Sequence, residues 1–219
     1  MIKNIIFDFD GVLVDSEVII AKSLHQYLAD MGIDFATEEF SKLAGNKTIE
    51  VVSQLSERFN IKDEKSFYED IMSIAHNLYE NKLQPILGVE KFLQNTNHKR
   101  LIGSNNIKDR IVKGLTKVDL NNYFTEDLIY TFDLVENPKP KPDIYLKAIY
   151  DSKIDINETI IIEDSVMGVK AGVAAAIKVI GLTAGGHWYE GRSNQELYAA
   201  GASEVVDNYD DMLLILNKL

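Results

Sequence analysis

Cysteine is missing from all 219 residues. That removes disulfide frameworks, thiolate nucleophiles and cysteine-ligated metals. It is compatible with a reducing compartment, and the chain is expected to be cytoplasmic. Positive charge is in short supply: 23 Lys and Arg stand against 34 Asp and Glu, for a net charge of −11. A surface of that sign argues against nucleic acid or an anionic membrane as partner. Long apolar runs are absent as well. The first run, after Lys3, is broken by Asp8 and does not read as a signal peptide. No stretch approaches the roughly 20 apolar residues of a membrane helix. Asn46-Lys47-Thr48 and Asn157-Glu158-Thr159 match the glycosylation sequon, and without a secretion signal both are treated as chance. What remains is an acidic protein of ordinary globular composition, long enough for one large domain or a core with an insert. To bind an anion, such a protein must concentrate positive charge locally through a metal, a lysine or helix N-termini.

What the sequence does have is Asp8-Phe9-Asp10-Gly11, directly after the apolar run Ile5-Ile6-Phe7. Residues i and i+2 of a strand point to one side, so Asp8 and Asp10 would lean together if the strand persists through Phe9. Gly11 lets the chain turn sharply. Two close carboxylates repel unless a cation sits between them, and Mg²⁺ suits such a site because it takes oxygen ligands and keeps substrate phosphate in its shell. Taken alone, Asp-x-Asp-Gly is also an ordinary solvated turn. An EF-hand loop needs Gly at its sixth position and Glu at its twelfth. Counted from Asp8, those positions hold Leu13 and Ile19, so that reading fails.

Short apolar runs recur, each followed by a polar cluster. Leu101-Ile102 leads to Gly103-Ser104-Asn105-Asn106, and Leu128-Ile129-Tyr130 to Thr131-Phe132-Asp133. Ile160-Ile161-Ile162 leads to Glu163-Asp164-Ser165, and Val179-Ile180-Gly181-Leu182 to Thr183 and Gly185-Gly186. These predict buried parallel strands with helices between them, and Val205-Val206 a short edge strand. Ligand sites of open α/β sheets lie beyond the carboxyl ends of the strands, where every one of these polar clusters falls. Residues 16–84 break the alternation. They carry helical patterns, such as Phe67, Ile71, Ile74 and Leu78 on one stripe, and few strand signals. The expected organisation is therefore a core of residues 1–15 and 85–219 with an all-helical insert, 16–84.

Four motifs now stand in order: Asp8 to Ser16, Ser104 at a strand end, Lys139 within Pro138-Lys139-Pro140-Lys141-Pro142-Asp143, and Glu163-Asp164-Ser165 running on to Gly172. Together they resemble the haloacid-dehalogenase-like hydrolase superfamily, in its beta-phosphoglucomutase-like and phosphoglycolate-phosphatase-like branch. The resemblance covers essentially the whole chain. It implies a Rossmann-like parallel-sheet core, an inserted helical cap and a Mg²⁺-dependent phosphatase acting on a small phosphorylated metabolite, such as a sugar phosphate. Asp8 would attack phosphorus and form an aspartyl-phosphate. Asp10 would protonate the leaving alcohol and then activate water. Ser104 and the backbone N–H of Asn105 would bind a phosphoryl oxygen, and Lys139 would pair with the phosphoryl group and Asp8. Lys141 is the alternative lysine; the family's spacing to the position of Asp143 favours Lys139. Asp8, Asp10, Glu163 and Asp164 are the acids expected at the metal. Asp164 would ligate with Asp8 and the Phe9 carbonyl, while Glu163 is either a further ligand or an acid just outside the metal's shell.

In the insert, Gly45, Asn46 and Lys47 fall in the loop that resembles the substrate-specificity loop. A sugar-phosphate mutase is the alternative activity. Where such mutases carry a cap histidine this chain has Ile20, and near their loop arginine it has Thr48, which favours hydrolysis. Two departures from the family pattern leave the catalytic groups intact: Pro138 where glycine is frequent, and Ala174-Ala175-Ala176-Ile177 where Ala-Ala-Gly-Met is frequent. If that glycine position needs positive φ, Ala176 lowers stability. Gly185-Gly186-His187-Trp188-Tyr189 should form a loop at the rim, and His-Trp pairs in loops are mostly packing. A monomer or weak homodimer is expected.

Overall fold

The computed structural model describes residues 1–35, 39, 48–189 and 191–219. The chain divides into two compact units: Met1–Asp15 with Gln84–Leu219, and Ser16–Leu83. Gly45, Asn46 and Lys47 lie outside the described residues.

The larger unit is built on a parallel sheet of β1 (Asn4–Phe7), β2 (Lys99–Ser104), β3 (Ile129–Thr131), β4 (Thr159–Glu163), β5 (Lys178–Leu182) and β6 (Glu204–Val206), in the order β3-β2-β1-β4-β5-β6. Its two central strands, β1 and β4, are buried along their whole length because both faces are covered. Alternation sends Ile6 to one face, where it packs with Leu101, Tyr145, Ile161 and Val179. Phe7, on the other face, meets Phe92 and Phe124 edge-on at ring distances of 6.3 and 5.6 Å. The strand order reverses between β1 and β4, and a crevice opens at such a reversal beyond the carboxyl ends of the strands. β2 and β4 run further than the apolar runs suggest: backbone pairing carries them through Ser104 and Glu163. Strand geometry thus fixes two of the polar residues at the crevice.

The helices of the larger unit used below are α4 (Val89–Gln94), α5 (Lys108–Lys117), α6 (Asp143–Ser152), α7 (Val166–Ala174), α8 (Gln195–Ala200) and α9 (Tyr209–Leu216). The smaller unit contains α1 (Glu17–Asp30), α2 (Thr48–Phe59) and α3 (Glu64–Lys82), with no strand among its described residues. Asp63 caps α3 by accepting from the Ser66 N–H at 3.0 Å. Leu24, Leu28, Val52, Leu55, Phe67 and Ile71 form its own core. The buried line of α3 runs Phe67, Ile71, Ala75 and Tyr79, a strict i+4 row. Ile74 and Leu78, expected on that stripe, flank it half-buried.

Candidate active site

β1 delivers Asp8 to the crevice, and the Asp8 N–H still donates to the Ile162 carbonyl at 2.9 Å. The chain then turns back on itself. The Phe9 carbonyl accepts the N–H groups of Leu13 and Val14 at 2.9 and 3.2 Å, and the Gly11 N–H donates to the Val14 carbonyl at 2.8 Å. The expectation that the Phe9 carbonyl ligates a cation is therefore corrected: the turn itself occupies its lone pairs. Gly11 has φ +74°, and a Cβ there would lie 1.8 Å from Asp164 Oδ2. Both the backbone and the neighbouring carboxylate require glycine.

Asp8, Glu163 and Asp164 are buried and bring one carboxylate oxygen each within 4.8 Å of the others. Lys139 Nζ sits 2.8 Å from Asp8 Oδ1 and 2.6 Å from Glu163 Oε1. Burial pushes the Asp8 carboxyl well above the usual carboxylate range; Lys139 opposes this, while Glu163 and Asp164 add to it. For Lys139, burial favours the neutral amine. The carboxylates of Asp8 and Glu163 outweigh burial and hold the ammonium form. Three acids against one lysine leave an excess of negative charge in a buried place. A divalent cation would balance it, so the residues present fit such an ion.

Glu163 is committed elsewhere. Its Oε1 accepts from Lys139 Nζ at 2.6 Å and the Tyr145 hydroxyl at 3.0 Å. Its Oε2 accepts from the Asp164 N–H, the Ser165 N–H and Ser165 Oγ, each at 3.0 Å. Five protein donors surround one carboxylate, which then serves to anchor Lys139. Ser165 also caps α7 by accepting from the Gly168 N–H at 3.0 Å. A Cβ at Gly168 would fall 1.6 Å from Glu163 Oε1, so Gly168 makes the room Glu163 occupies.

Asp10 does not join the acid cluster; its Oδ2 accepts from Asn106 Nδ2 at 3.0 Å. Ser104 is buried at the end of β2, and its Oγ accepts the Asn106 N–H at 3.2 Å. The Asn105 side chain clamps the Lys139 backbone, with Oδ1 accepting the Lys139 N–H at 3.0 Å and Nδ2 donating to its carbonyl at 3.1 Å. Lys141 is exposed. The roles of Tyr145, the two asparagine side chains and His187, whose Nε2 lies 3.1 Å from Asp164 Oδ2, escape sequence reasoning. Each depends on a partner remote in the chain.

The chain is similar to known proteins along most of its length. A 6-phosphogluconate phosphatase of Escherichia coli (strain K12) is 26% identical over 188 residues, 85% of this chain and 85% of that one. A phosphorylated carbohydrates phosphatase of Thermotoga maritima is 27% identical over 182 residues, covering 81% and 83%. The crystal structure of a conserved haloacid dehalogenase-like protein of unknown function from Agrobacterium tumefaciens str. C58 has a TM-score of 0.88 at 32% identity, covering 100% of this chain and 99% of the other. The family model described as haloacid dehalogenase-like hydrolase matches residues 5–182, a span that reaches from the first strand to the end of β5 and takes in all four motifs; the chain belongs to that family.

Proposed function

We propose that this hydrolase cleaves a small phosphate monoester, a sugar phosphate or related cytoplasmic metabolite, through an aspartyl-phosphate on Asp8. The observation that carries the reading is Asp8 itself, buried at the strand reversal with Lys139 Nζ at 2.8 Å and two further carboxylates beside it. The names of the two phosphatase relatives support the substrate class.

In the first step an Asp8 oxygen bonds to phosphorus as the ester P–O bond breaks, and Asp10 gives its proton to the departing alkoxide. In the second, Asp10 takes a proton from water, the water oxygen bonds to phosphorus, and the bond to Asp8 breaks to free phosphate. Asn106 fixes the Asp10 carboxylate for both transfers. Lys139, steadied by Glu163, Tyr145 and Asn105, orients Asp8 and counters phosphoryl charge. Ser104 is assigned to a phosphoryl oxygen. A Mg²⁺ ion held by Asp8 and Asp164 would lessen the repulsion between an anionic nucleophile and an anionic substrate. Asp10 and Glu163 are not assigned as side-chain ligands, given their protein partners. Choice among esters is assigned to the helical unit, including Gly45, Asn46 and Lys47.

The test is phosphate release from a panel of sugar phosphates, 6-phosphogluconate, phosphoglycolate and nucleotides, with Mg²⁺ or with EDTA, alongside Asp8→Asn. Release that needs the metal and vanishes in Asp8→Asn is expected. An isomerised sugar phosphate without free phosphate would replace hydrolysis by mutase chemistry. Neither product would overturn the assignment of Asp10 as proton donor.

A further inference from the structure

The loop after β5 is held by more contacts than a rim loop requires. The Gly186 N–H donates to Asp15 Oδ1 at 2.9 Å, and the Trp188 N–H closes a turn on the Gly185 carbonyl at 2.9 Å. Arg192 donates from Nη1 to the His187 carbonyl at 3.2 Å, lays its guanidinium 3.9 Å from the centre of the Trp188 ring, and is itself tied to Glu196 at 2.8 Å. These contacts deliver one side chain inward. The His187 side chain is 9% exposed, and its Nε2 lies 3.1 Å from Asp164 Oδ2.

Two glycines make room for the ring. A Cβ at Gly185 would lie 2.8 Å from His187 Nδ1, and one at Gly11 would lie 3.1 Å from His187 Cε1. Asp164 Oδ2 occupies the same space over Gly11. The carboxylate and the imidazole are thus packed together against the turn that follows Asp8. A core histidine with only a packing role needs no polar partner of this kind.

We propose that His187 is a positioning residue for Asp164: its Nε2–H holds Oδ2, which fixes the rotation of the carboxylate and leaves the other oxygen for a divalent cation. The inference rests on the reading that Asp164 faces such a cation. Groups that orient a metal's ligands commonly alter its affinity by about 10- to 100-fold when removed. Without His187, Asp164 could rotate, and its second oxygen would no longer be presented in one place. Trp188 and Arg192 act one step further out, by holding the loop.

The experiment is calorimetric titration of the full-length, metal-free protein with Mg²⁺. The variants are His187→Leu, which keeps bulk without a donor, and His187→Gln, whose amide nitrogen can take the place of Nε2. Expected is a Kd raised about tenfold or more in His187→Leu and restored to within about threefold of the native value in His187→Gln. A His187→Leu protein that binds Mg²⁺ like the native chain overturns the inference. So does a His187→Gln protein as weak as His187→Leu, because the effect would then be shape and not the donor. Should His187→Leu fail to fold, as read by circular dichroism, His187→Asn replaces it; its amide is too short to reach, and the same two outcomes apply. Native protein and Asp164→Asn are titrated alongside. Native protein that takes up no Mg²⁺ refutes the metal reading itself, whereas native binding unaltered by the histidine changes refutes the role of His187 alone.

Discussion

Ala176 is the clearest place where this chain departs from a conformational preference. α7 ends in a Schellman arrangement: the Ile177 N–H bonds the Gly172 carbonyl at 3.1 Å, and the Ala176 N–H bonds the Val173 carbonyl at 2.9 Å. The residue just past the cap must then be left-handed, and Ala176 has φ +59°. A side-chain-bearing L-residue there is disfavoured by roughly 1–2 kcal/mol, because its Cβ crowds the following carbonyl oxygen. Glycine removes that term. It also loosens the unfolded chain, which offsets about 0.4–1 kcal/mol of the gain. Ala176 is exposed, so its methyl contributes little packing that would be lost. The net expectation for Ala176→Gly is a stabilisation of about 0.5–1 kcal/mol, or about 1–4 °C in Tm for a chain of this size. Differential scanning calorimetry measures it, with Ala174→Gly as the contrast. That residue is the last of the helix and also exposed, and glycine there should lower stability by about 0.5–1 kcal/mol. Phosphate release by Ala176→Gly should match the native rate, since the residue touches none of the assigned groups. An Ala176→Gly protein that melts at or below the native temperature would refute the reasoning.

Two further expectations follow from crowded or buried groups. Gly168→Ala would drive a Cβ to 1.6 Å from Glu163 Oε1 and force Glu163 off Lys139, so the denaturant midpoint should report a loss of about 3 kcal/mol or more; a loss below about 1 kcal/mol would show that Glu163 has room to shift. His98 has its pKa lowered from the ordinary value of 6.5 by burial first and by Arg100 second, against a backbone bond to Ile2. The unfolded chain therefore takes up the proton before the folded one, and stability present above pH 6.5 is lost as pH falls below it. Urea midpoints measured from pH 7.5 to 5 should fall less steeply in His98→Asn than in the native protein, and parallel slopes would remove His98 from the account.

Much of the fold is legible because it is written in local terms. Ile5-Ile6-Phe7 and Ile160-Ile161-Ile162 are apolar throughout since both sheet faces are covered, and each stops where its strand meets the crevice. The helical insert shows itself by a change of period between residues 16 and 84. Ala176 was legible too, as a residue out of place at a helix end whose positive φ the backbone then displays. The boundaries were less so. Ser104 and Glu163 read as polar residues just past the apolar runs at the strand ends, and pairing with neighbouring strands carries β2 and β4 through them.

The Lys139–Asp8 pair was implied by the family resemblance, but the other contacts of the site residues were not legible. Asn105 reads as a backbone donor at a strand end, but its side chain grips Lys139, 34 residues away. The Tyr209 hydroxyl donates to the Val12 carbonyl at 2.7 Å across 197 residues. Nor did the sequence reveal that the turn consumes the Phe9 carbonyl, or that Asp10 stands outside the acid cluster. Residue type, order and spacing determined the architecture, the family and the identity of the acids, because strand patterning and glycine turns act over a few positions. Which acid anchors the lysine, which acids share the buried cluster, and that a histidine from the β5 loop packs against Asp164 were decided by tertiary structure alone. Those relations depend on distances of about 3 Å between segments that the parallel sheet, and nothing local, brings together.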